Sequence, residues 1–131
     1  VVWKLLKIYK TKPFNKWQSK SSELEDASLV QAIYEMQDGL FDAELGGNLY
    51  KKRIARHGAG KSSGYRTIIA TKLKNRWIFI LGFAKNEKDN INNNELKALQ
   101  RFAELLLNYT DAEIKQAITD KHIVEVNYEN K

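Results

Sequence analysis

Three strand-like segments in the middle of the chain constrain its fold more than any other feature. Residues 49–56, 65–73 and 76–83 read as strands, the last two rich in β-branched and aromatic side chains, and Lys74-Asn75 leaves room only for a tight turn between those two. Strands joined so tightly run antiparallel, so a meander is expected. Ahead of it, residues 2–11 read as a first strand, and Pro13 fits the first turn of a short helix carrying Phe14 and Trp17, because proline lacks only a donor that would be unpaired there. Leu29, Val30, Ile33, Tyr34 and Gln37 recur at three and four, which predicts a helix over 26–37, ended by Gly39 and then Gly46-Gly47. After the meander, Asn94 is expected to cap a helix whose Leu96, Leu99, Phe102, Ala103 and Leu106 form a core stripe. Thr110 and Glu113 match a capping box that opens a last short helix, before 122–126 returns to strand. The order strand, two helices, meander, helix, helix, strand argues for the α+β class.

With 131 residues the chain is expected to be a single domain, 1–131, long enough to bury most of its apolar surface. It has no cysteine, which excludes a disulfide framework, a thiolate zinc site and a cysteine nucleophile, and fits a reducing compartment. His57 and His122 are too few and too far apart in sequence to suggest a metal site, so neither metal nor cofactor is expected. The first ten residues, VVWKLLKIYK, are broken by Lys4, Lys7 and Lys10 and offer no continuous run for a secretory signal or a membrane span. The chain opens on valine, so an upstream residue is expected.

Charge is unevenly spread. Residues 1–20 hold six lysines and no acid, whereas 21–48 hold seven acids and no Lys or Arg. Residues 49–88, which include the meander, carry eleven Lys or Arg against Glu87 alone. A single lysine on a strand face usually serves solubility and protects sheet edges. Cations crowded within one sheet repel each other unless an anion is bound, and a polyanion is the natural candidate.

Inside that segment, GAGKS looks at first like the phosphate loop of a nucleotide hydrolase. A Walker loop needs a further glycine, separated by four residues from its Gly-Lys-Ser, and that place is held here by Ala55. It must also run into a helix, whereas the residues after Lys61, SSGYRTIIAT, read as a strand. An NTPase is rejected, and the stretch becomes a glycine-rich loop between two cation-bearing strands.

The GKSSGYR and GFAKNEKDNI motifs, with LGG ahead of them, resemble the RelE/ParE superfamily of bacterial type II toxins, in particular a HigB-like subfamily patterned GKSGGYR…GFAKNE, over nearly the whole chain from Lys7 onward. The resemblance implies a RelE-like two-layer fold: an antiparallel sheet with helices on one face and extra C-terminal helices. It also implies a cytoplasmic toxin that cleaves messenger RNA, usually on the ribosome, and is silenced by an antitoxin encoded beside it, expected to be a helix-turn-helix protein. A ParE-like inhibitor of DNA gyrase, without enzymatic activity, is the alternative, since the superfamily hosts both. A plain RNA-binding domain would interleave exposed aromatics with its cations, whereas Trp77, Phe79 and Phe83 sit at period two as core residues would.

A metal-free ribonuclease makes the 2′-OH attack the adjacent phosphate. It needs a base for that proton, a cation for the pentavalent phosphate and an acid for the leaving 5′-oxygen. Arg66 is the first choice for the phosphate, because its planar fork binds two oxygens and the arginine after Gly-Tyr in RelE-type toxins has that role. By the same resemblance Arg53 and Arg56 lie where RelE-type lysines assist proton transfer or charge stabilisation. Arginine is a poor base. Best-known RelE-type enzymes carry an arginine and then a tyrosine after the last meander strand, and 85–90, KNEKDN, has neither. The base stays open: Lys85 and Lys88 can act as cations, Glu87 can accept a proton, and His57 has a side chain whose ordinary pKa lies near neutrality. Lys51, Lys61, Lys72, Lys74, Lys88 and His57 are expected to contact RNA. Tyr65 alternates to the face opposite Arg66 and is expected in the core or as a stacking platform.

Overall fold

The computed structural model describes residues 6–56, 64–85 and 91–127. Strand β1 (Lys7–Thr11) runs directly into helix α1 (Lys12–Ser21), and α2 (Asp26–Gln37) follows. Then come β2 (Ala43–Gly46), β3 (Leu49–Ile54), β4 (Tyr65–Thr71) and β5 (Arg76–Ala84), and the chain continues through α3 (Asn93–Leu107), α4 (Asp111–Thr119) and β6 (Ile123–Glu125). The expected order holds, with β2 added. It arises because Gly46, Gly47 and Asn48 adopt φ of 81, 62 and 63°, turning the acidic segment back onto β3 as a hairpin.

The six strands lie in the order β2-β3-β4-β5-β1-β6. β3, β4 and β5 form the antiparallel meander. The sheet is not antiparallel throughout, because β1 lies parallel to β5 and antiparallel to β6. β1 is separated from β5 by two helices and the rest of the meander, so no hairpin dictates its direction. The helices also differ from a one-face arrangement. α1 and α2 pack on Tyr65, Ile69, Trp77 and Phe79, whereas α3 and α4 pack on Ile68, Ala70, Ile78 and Phe83 of the opposite face. The central strands are apolar on both sides, so both faces need covering. The α+β class stands; the layers number three.

A bulge in β5 decides which of its residues face the candidate site. Ile69 pairs with Phe79 and Ile68 with Leu81, so Ile80 is an extra residue. One extra residue flips the alternation. Trp77 and Phe79 therefore point to α1, Phe83 to the other face, and Gly82 back beneath Trp17. A Cβ on Gly82 would lie 2.3 Å from the Trp17 ring, which explains the glycine of GFAKNE. Thr11 serves two ends at once: its hydroxyl donates to the Ile80 carbonyl at 2.9 Å and accepts from the Phe14 N–H that opens α1.

Asn92, not Asn94, caps α3, because Glu95 at the third helical position completes its capping box. Thr110 and Glu113 form the box of α4 as expected. Ala103 and Leu106 of the α3 stripe are buried, but Phe102 is 39% exposed and is not core.

Candidate active site

Register sets the site. In the β3–β4 pair Arg53 lies directly opposite Arg66, and in the β4–β5 pair Arg66 lies opposite Phe83. Like charges placed directly across an antiparallel pair are destabilising unless something offsets them. Arg66 is also only 9% exposed. Among the described residues its guanidinium has one hydrogen-bond partner, the Gly64 carbonyl, which accepts from Nη1 at 3.1 Å. A carbonyl dipole satisfies one donor and does not neutralise the charge. Gly64 is held where a Cβ would stand 2.2 Å from the Ile54 carbonyl oxygen, so only glycine allows β4 to start this close to β3.

Arg53 is differently furnished. Its Nε donates to Asp42 Oδ1 at 2.9 Å and its backbone N–H to Asp42 Oδ2 at 2.6 Å. Burial raises the Asp42 pKa, but the Arg53 backbone N–H and guanidinium, with Lys52 beyond, outweigh it and hold the carboxyl below its ordinary value. Lys51 is two residues away on β3 and half-buried. Lys85 is exposed at the first position past β5, at the same sheet end as Arg66, since Ala84 pairs with Tyr65.

Other candidates are placed elsewhere. The Arg56 guanidinium lies over the Tyr65 ring, 5.0 Å from its centroid, and Tyr65 belongs to the core under α1. Arg56 thus faces away from Arg53 and Arg66. The Arg56 pKa is raised, chiefly by hydrogen bonding to Tyr65. Tyr65 is core: it meets Trp17 edge-on at 5.4 Å, and its hydroxyl accepts from the Glu23 N–H. Lys72 and Lys74 follow the far end of β4, six and eight residues from Arg66, roughly 20 Å or more away along an extended strand. Lys72 reaches Asn108 at 3.4 Å. His57, Lys61, Glu87 and Lys88 lie outside the described residues.

Several cations that swelled the sequence count are structural. Lys52 is buried, 2.7 Å from Glu35 and 2.8 Å from the Leu40 carbonyl. Arg76 donates to the carbonyls of Leu106, Leu107 and Tyr109 at the end of α3, where the helix dipole favours a cation. Lys10 is buried between Gln18 and Asp26. Asp42 is the residue that sequence reasoning missed. Its only signal was a position within the acidic segment 21–48, shared with six other acids. Among the described residues no three His, Cys, Asp or Glu side chains cluster as metal ligands, and no helix is long and apolar enough to cross a membrane.

The fold and this sheet end define a small basic α+β protein with two arginines on directly paired strand positions, one of them buried without a carboxylate among the described residues. Residues 6–126 match the family described as RelE toxin of RelE / RelB toxin-antitoxin system, and the chain belongs to that family. It is accordingly the toxin of a toxin-antitoxin system, and a cognate antitoxin is its implied partner. No curated protein matches the chain.

Proposed function

We propose that this toxin is an endoribonuclease that cuts messenger RNA on the translating ribosome, with no metal ion in the chemical step. The observation that supports this most is the buried Arg66 guanidinium opposite Arg53, with a lone carbonyl as its described partner. A phosphodiester is the anion such a pair suits, because two planar forks can embrace its non-bridging oxygens. As the 2′-OH attacks, negative charge grows on those oxygens, and Arg66 and Arg53 stabilise it. Lys85, exposed at the same end, supplies a further cation and can protonate the leaving 5′-oxygen. Glu87 and His57 are the candidates for the base.

Lys51 extends the cationic surface beside Arg53, while Lys61 and Lys88 flank it in sequence. Lys72 and Lys74 bind the RNA backbone at a distance, and Arg56 acts through Tyr65 packing rather than on the phosphate. The whole chain acts as one domain, in the cytoplasm where ribosomes are. Its antitoxin is a helix-turn-helix protein from the same operon. The test is purified toxin on translating ribosomes, with cleavage mapped by primer extension. Cuts within the ribosome-bound message support the reading. Intact message together with blocked DNA supercoiling by gyrase would replace it with the ParE-like alternative.

A further inference from the structure

The link between α2 and β2 is tied to β3 by two neighbouring cations. Lys52 donates to the Leu40 carbonyl at 2.8 Å and pairs with Glu35 at 2.7 Å, which fixes the link from the α2 side. Asp42, two residues on, then grips Arg53 by its backbone N–H and its Nε. The Asp42 N–H donates in turn to the Lys51 carbonyl at 2.8 Å, so the carboxylate is held by main chain as well as by its partner. Carboxylates often take an arginine through Nε and a terminal nitrogen together. Here the side-chain bond uses Nε alone, and among the described residues both terminal nitrogens of Arg53 are without a partner.

We infer that Asp42 is a positioning residue for the phosphate site: it anchors Arg53 through Nε and leaves its two terminal nitrogens for the substrate phosphate beside Arg66. The inference rests on the ribonuclease reading above. Three observations carry it. Arg53 is 41% exposed at its side chain, so without an anchor its rotamers would be free in solvent. Its charge lies directly opposite that of Arg66, so repulsion would drive it outward in the absence of Asp42. Asp42 also offsets one of the two like charges at the site without occupying the atoms that would face the phosphate.

The experiment compares the full-length toxin with Asp42→Ala, Asp42→Asn, Arg53→Ala and the Asp42→Ala/Arg53→Ala double variant on ribosome-bound message, measuring kcat and KM. Asp42→Ala should lower kcat about tenfold, the worth of one charge-assisted hydrogen bond, with KM changed much less. Asp42→Asn keeps an oxygen for Nε and should recover part of that loss. The double variant should be no slower than Arg53→Ala, because Asp42 acts only through Arg53. Losses that multiply in the double variant, or full activity in Asp42→Ala, would overturn the inference while leaving the ribonuclease reading intact. A parent that cuts nothing overturns that reading and this inference with it. If Asp42→Ala does not fold, the Asp42→Asn comparison with and without Arg53→Ala carries the same decision.

Discussion

Replacing Arg66 separates a catalytic guanidinium from a structural one, because the two make opposite predictions for stability. A structural arginine that holds a buried carboxylate would, when removed, strand that partner at a cost of about 3–5 kcal/mol. Arg66 has no such partner among the described residues, only the Gly64 carbonyl, and it is paired in register with Arg53. Arg66→Met keeps most of the packing against neighbouring side chains and removes the buried charge. Relief of one directly opposed like-charge pair is worth roughly 0.2–1 kcal/mol, so the melting temperature should stay level or rise by about 1–4 °C. Cleavage should fall by about 10²–10³, the loss typical of one missing transition-state donor. Arg66→Lys should recover only part, since it returns the charge without the fork. Thermal unfolding in phosphate against chloride at equal ionic strength supplies a second readout. Phosphate at about ten times its dissociation constant should stabilise the parent by about 1.4 kcal/mol and the Arg66→Met variant by much less. A variant that melts well below the parent, cuts at the parental rate and responds equally to phosphate would refute the reasoning.

Three further outcomes follow from the same geometry. Lys72→Ala and Lys74→Ala should weaken RNA binding across all sequences and lower the salt slope by about 0.7 for each single-strand phosphate that is no longer neutralised, with kcat at saturation unchanged; binding titrations from low to high salt check this. Gly64→Ala should cost about 1–3 kcal/mol in urea unfolding, because its Cβ would meet the Ile54 carbonyl at 2.2 Å and the start of β4 would have to move. Asp42 has a folded pKa below its ordinary value, so its contribution is present above about pH 4 and is lost as the pH falls through the lower folded value. Unfolding measured between about pH 5 and 2 should therefore show a flatter acid limb in Asp42→Asn than in the parent.

The meander, the bounds of α2 and the capping box of α4 were legible because each rests on interactions within a few residues: hydrophobic period, a short connection (residues 72–75 in the structure, rather than the expected two), a side chain returning to its own backbone. What was not legible depends on pairings distant in sequence. The parallel entry of β1 beside β5 joins Lys7 to Arg76 and Ile8 to Trp77, and nothing in either strand declares the direction. The Ile80 bulge is silent in the sequence as well, since its carbonyl is satisfied by Thr11 on another strand. Phe79 and Phe83 share a period-two pattern yet end on opposite faces for that reason. α3 crossed to the second face because Ile68, Ala70 and Ile78 needed cover, a demand visible only once the neighbouring strands are paired.

For the site, the sequence displays cations but not their obligations. Arg66 stands out because a motif and a strand pattern agree on it. Lys52, Arg76 and Lys10 carry the same charge and cannot be told apart from it by composition, yet each is engaged by Glu35, by the α3 carbonyls or by Asp26. Arg53 and Arg56, three residues apart, diverge for a similar reason: one is fastened by Asp42 across the edge of the sheet, the other lies on an aromatic ring of the opposite face. What marks a binding cation is therefore the capacity left after internal partners are counted. By that measure the terminal nitrogens of Arg53 and the buried fork of Arg66 stand apart from the other described guanidinium groups of the meander, and the two lie on paired residues. A phosphate bound between them would relieve the repulsion that the bare site retains, which couples tight binding of the anion to stability of the sheet end that holds it.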